Sequence, residues 1–257
     1  MRVLRRLIES VDAGETCVLA TVVAVKGSAP RRQGARLLVC ADGTLEGTVG
    51  GGEVEAETLV TARAMLAGRE PARTLEMTVN CGGTVTVMLE KFAPQRRLLV
   101  IGAGHVGAAL AAAGARAGYR VTVASQGSVE KVHTLTDVET VSPAEPAMLA
   151  AFEHPEATQV IVATGDAEAD GVWATAALAR PFAGVGVVGS RTKAAAIRHT
   201  AAAAGVPPER VHTLRCPVGL DLGAVTPHEI AVSIVAELIR LDRTGEVPEG
   251  WRQASRG

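Results

Sequence analysis

Apolar positions follow two rhythms along the chain. Val3, Leu4, Leu7, Ile8 and Val11 recur at helical spacing, and Gly14 supplies a stop. Residues 17–25 (CVLATVVAV) are a continuous apolar run that predicts a buried strand, and residues 36–40 predict a second. KGSAPRRQGA is the loop between them, and Asp42-Gly43 marks a hairpin-type turn. GTVGGGEVEAETLVTARAML passes from a glycine turn into a helix, and residues 73–79 and 84–90 read as strands flanking Asn80-Cys81-Gly82-Gly83.

The rhythm changes at Leu98. LLVIGAG, YRVTVAS and QVIVATG read as strands that alternate with Ala-rich helices, and AGVGVVGS leads into RTKAAAIRHTAAAAG. This β-α alternation predicts a parallel, doubly wound sheet. The polar stretch Ala93 to Arg97, with Pro94, marks the expected boundary. The expected organisation is α/β: a small N-terminal α/β domain (1–93), a Rossmann-like doubly wound domain (98–241) and a polar tail (242–257). Thr226, Pro227 and Glu229 have the pattern of a capping box. The helix that follows, IAVSIVAELI, is apolar nearly all round, which predicts burial or a subunit interface.

Composition narrows the function classes. The 257 residues carry a net charge of −1 and only 2% aromatics. Nucleic-acid binding therefore has neither electrostatic support nor stacking platforms. No apolar run reaches the roughly 18 residues of a membrane span, and the first residues show no signal-peptide core, so the expected location is cytoplasmic. No two of the four cysteines form a CxxC pair, and Cys17 and Cys40 lie in apolar runs as core thiols.

Five segments carry candidate chemistry. Gly102-Ala103-Gly104-His105-Val106-Gly107 follows a strand and opens a helix, the context in which glycines admit a phosphate to free helix amides. The second strand of that unit ends Ala124-Ser125-Gln126, without the acid that holds ribose hydroxyls, which counts against ordinary NAD or NADP use. Gly50-Gly51-Gly52 before Glu53 and Glu55 is either a second amide cradle or a crowded packing site. Ser28, Arg31 and Arg36 lie in a loop whose arginines suit bidentate phosphate contacts. Cys81 beside two glycines is an accessible thiol, able to ligate a soft metal or carry sulfur if its thiolate is stabilised, or else an inert turn residue. Ser190 and Arg191 form another strand-to-helix turn suited to an anion, while Cys216, followed by proline, reads as structural.

Taken together, these segments resemble the XdhC/CoxI family of xanthine dehydrogenase accessory proteins, from about Leu4 to Ile239. GSAPRRQGAR, GTVGGGEVE and NCGG are similar to its first domain. IGAGHVG, VGVVGSRTK and PVGLDLGAVTPHEIAVSIVAELI are similar to its Rossmann domain. The chain departs from the family pattern at Ala124-Ser125-Gln126 and at Thr164-Gly165-Asp166. The resemblance implies an accessory factor rather than an enzyme. Such a factor binds molybdenum cofactor (molybdopterin), with Cys81 at the metal or its sulfur. It serves a xanthine, aldehyde or CO dehydrogenase-type client alongside a cysteine desulfurase, as a homodimer. The alternatives are an NAD(P)-dependent Rossmann oxidoreductase and a sulfur-transfer enzyme using Cys81.

Overall fold

Strand alternation and helical spacing resolve into two units, Met1–Pro94 and Gln95–Gly257. The computed structural model describes residues 1–27, 32–79 and 82–251. In the first unit, α1 (Arg2–Asp12) precedes β1 (Cys17–Lys26), β2 (Arg36–Cys40) and β3 (Leu45–Gly47). These are followed by α2 (Gly52–Ala67), β4 (Ala72–Thr78) and β5 (Thr84–Phe92). The five strands form one antiparallel sheet in the order β3-β2-β1-β5-β4. Its two faces bury different clusters. Val18, Ala20, Val22, Val87 and Leu89 pack with Val54, Ala62 and Met65 of α2. Cys17, Leu19, Leu38 and Cys40 pack with Leu7 of α1. The period of two along β1 thus feeds two helices at once.

The second unit runs β6 (Arg97–Ile101), α3 (His105–Arg116), β7 (Arg120–Ala124), α4 (Glu130–His133) and β8 (Val138–Val141). It continues β9 (Thr158–Val162), α5 (Ala167–Leu178), β10 (Gly184–Val187), α6 (Arg191–Ala203), α7 (Pro208–His212) and α8 (Pro227–Thr244). Its sheet is parallel, ordered β10-β9-β6-β7-β8. The chain winds outward from β6 to β8, then returns to the other side of β6 with β9. That reversal is the topological switch point of a Rossmann-type fold.

Helices cover both faces of this sheet. Leu110 of α3 and Ile234 and Leu238 of α8 share one core with Leu98, Val100 and Val121. Trp173 of α5 and Ile197 of α6 share the other with Val160, Val162 and Val187. The expected capping box is present on α8: Thr226 Oγ1 accepts from Glu229 N, and the Glu229 carboxylate accepts from Thr226 N. The apolar α8 is buried on one face, while its Val232 and Ile239 stay exposed. Arg215 ties the last loop to this helix. It donates to Glu237 (2.6 Å) and Gln159 (2.6 Å), and Gly219 N donates to the same Glu237 carboxylate (2.8 Å). Among the described residues, no helix is long and apolar enough to cross a membrane.

Candidate functional site

Strand register brings described residues that flank the three N-terminal motifs to one end of the antiparallel sheet. β1 leaves at Lys26, which pairs with Thr84, the first residue of β5. Gly27 sits in the left-handed region (φ 72°), and a Cβ there would lie 3.2 Å from Gly83 Cα. The start of the arginine loop therefore packs on the glycines that follow Cys81. Ser28, Arg31 and Cys81 themselves lie outside the described residues. Arg36 opens β2 at this same end, and its carbonyl accepts from Thr48 N (2.7 Å), which brings in the glycine turn.

That turn is built on positive φ at Gly47, Gly50, Gly51 and Gly52. A Cβ at Gly51 or Gly52 would meet nothing within 4 Å, so conformation rather than crowding requires glycine there. The cradle already holds an anion of its own. The Glu55 carboxylate accepts from Gly51 N (3.2 Å) and from the Thr48 hydroxyl. Glu53, two residues earlier, is exposed on α2.

In the second unit a cleft of about 530 Å³ opens at the switch point, outside the carboxyl ends of β6, β7 and β9. The three glycines of the phosphate-type loop serve different needs. A Cβ on Gly102 (φ 110°) would overlap the Ala163 carbonyl, and one on Gly107 would overlap the Gly102 carbonyl. Gly104 caps α3 without a side-chain bond, and a Cβ there would project into open space. The loop is thus tight on its protein side and open toward the cleft, which leaves the first amides of α3 to a ligand.

His105 opens α3, and its Nε2 lies 3.2 Å from Lys131 Nζ, a cleft-lining cation at the start of α4. The two residues are 26 apart in sequence, and α4 has only four residues, so nothing local announces Lys131. Ser125, Gln126 and Glu130 line the side where a ribose-binding acid would stand. Thr164 closes the opposite wall. Its N and Oγ1 both donate to Asp170 Oδ1 (3.0 and 2.6 Å), and Lys193 Nζ donates to Asp170 Oδ2 (2.6 Å). Asp170 is fully buried, so this pair fixes the wall from behind. A second cavity of about 300 Å³ shares Gln126, Asp166 and Trp173 with the first.

Ser190 and Arg191 do not line the cleft. Ser190 caps α6 by accepting from Lys193 N (3.2 Å), and its carbonyl accepts from the Cys216 thiol (3.5 Å). Burial pushes Cys216 up to about 11, against the pull of Lys193 and Arg198, so its thiolate is disfavoured.

A doubly wound domain with a glycine loop at its switch point, in a chain that also holds a small antiparallel-sheet unit, defines the class. Residues 98–238 match the XdhC Rossmann domain, and residues 10–77 match the XdhC and CoxI family. The chain belongs to the XdhC and CoxI family. It is 32% identical over 239 residues to the uncharacterized protein YqeB of Escherichia coli (strain K12), covering 87% of this chain and 43% of that protein. It is 34% identical over 107 residues to the molybdenum cofactor insertion chaperone PaoD of the same organism, covering 38% of this chain and 34% of the relative. The chain thus spans less than half the length of these curated relatives. A Bacillus halodurans crystal structure described as a xanthine dehydrogenase shares the fold. Its TM-score is 0.52 at 21% identity, over 96% of this chain and 98% of the other.

Proposed function

We propose that this protein is an accessory factor for a molybdenum enzyme, and that it binds the pterin-based molybdenum cofactor and passes it to a xanthine dehydrogenase-type client. The observation that carries the reading is that Lys26, Gly27, Arg36, Thr48 and Gly83, which flank the three N-terminal motifs in sequence, lie at one end of the N-terminal sheet. Family membership and the similarity to PaoD support it. The cargo is an anionic, phosphate-bearing pterin with a soft metal, so arginines suit its phosphate and a cysteine suits its metal or sulfur. The test is client activation in a host that lacks its own factor. Arg31→Ala and Cys81→Ala should each lower the fraction of client carrying cofactor. Full loading by both variants would overturn the reading.

A nucleotide in the Rossmann cleft is the second reading, favoured by the open Gly104 face and the Lys131–His105 pair. Equilibrium binding of NAD, NADP and a phosphorylated pterin to the full chain separates the two. Dinucleotide binding abolished by Gly104→Val, without pterin binding, would favour the second.

A further inference from the structure

The far end of the N-terminal sheet holds a pair of thiols that the proposed function does not use. Cys17, opening β1, and Cys40, closing β2, are directly opposed in the antiparallel register. Ala41 N donates to Thr16 O (2.9 Å), which marks 17/40 as a non-hydrogen-bonded pair. Cα atoms at such pairs stand about 4.5 Å apart, inside the range that a disulfide spans. The two Sγ atoms already lie 2.7 Å apart, and both residues are essentially buried, at 0% and 1% exposure. Closing to the ~2.05 Å of a disulfide needs a shift of about 0.7 Å.

The Glu15 carboxylate is also near, within 4.8 Å of both sulfurs. A tetrahedral zinc with ~2.3 Å Zn–S bonds would hold its sulfurs roughly 3.8 Å apart, so the observed spacing favours a sulfur–sulfur bond over a metal.

We infer that Cys17 and Cys40 form a two-electron dithiol–disulfide couple oxidised by a small hydroperoxide. The Ser10 hydroxyl lies 3.6 Å from Cys40 Sγ and either atom can donate, so the step is written with Cys40 first, and the products are the same from Cys17. The Cys40 sulfur attacks the hydroperoxide, giving a sulfenic acid and an alcohol (water, for hydrogen peroxide). Cys17 then displaces water from the sulfenic sulfur. The net change is two thiols and one hydroperoxide to one disulfide, one alcohol and one water. Val3, Leu4, Leu7 and Val11 of α1 pack over the pair. Burial, above all, pushes Cys17 up to about 12. Bulky disulfides are thereby kept out and the reaction is slow.

The full chain, purified anaerobically, should be treated with hydrogen peroxide, alkylated after denaturation and mapped by mass spectrometry. The expected product is a Cys17–Cys40 linked peptide pair, two hydrogens lighter, reversed by dithiothreitol, with an upward shift of Tm in the oxidised protein. Glutathione disulfide should leave the folded protein unmodified. Cys40→Ala should lose the linkage. Three results would overturn the inference: both cysteines recovered alkylated, each oxidised separately or linked to Cys81, or zinc bound by the pair at one per chain.

Discussion

At the loop opening α3, neighbouring glycines answer to different forces, and substitutions should separate them. Gly102→Ala places a Cβ against the Ala163 carbonyl at positive φ, so it should cost about 1–3 kcal/mol of stability by denaturant titration. Gly104→Ala meets no neighbour and should fold normally while weakening phosphate-ligand binding, as read by calorimetry. Asp170→Ala should cost about 1–3 kcal/mol, because it removes the buried partner of a half-buried lysine and leaves Thr164 N unsatisfied. The loop itself was legible, since glycines between a strand and a helix signal their own constraint. Asp170 and Lys131 are not legible as site residues, and the sequence shows Lys193 only as a cation of the Ser190 turn, because their partners come from other elements 23 and 26 residues away. Of the two acids that follow the glycines, Glu55 reaches Gly51 N across the turn of positive φ, while Glu53, the candidate site residue, is exposed.

Among the elements, those with strong periodicity or caps were readable and the short ones were not. The Thr-Pro-His-Glu start of α8 announced its capping box, and Thr226→Ala should cost about 1 kcal/mol of thermal stability. The three-residue β3 and four-residue β8 and α4 are too short to show a period, and tertiary pairing creates them. Three carboxyls are held below their ordinary values: Glu229 by backbone amides of Thr226 and Val225, Glu139 by Arg120, and Asp42 by Thr44. A lowered folded pKa gives stability that is fully present above the unfolded value. A pH series of Tm should therefore be flat with respect to these groups near neutrality. It should fall as pH drops through the ordinary carboxylate range, and Glu229→Gln should lessen that fall.

Over the whole molecule, the doubly wound half was legible because alternating apolar strands and Ala-rich helices leave few other topologies. The N-terminal half was less so. Its strands were visible, but their register was not, and only register brings Lys26, Arg36, Thr48 and Gly83 to one end. That convergence underlies the cofactor-handling account. The most direct test is the pterin and molybdenum content of the full chain, purified without oxygen from a host that makes molybdenum cofactor, beside Cys81→Ala. The account predicts near-stoichiometric pterin in the wild type and a clear loss in the variant. No pterin in either, while a molybdenum enzyme from the same cells is loaded, would contradict it.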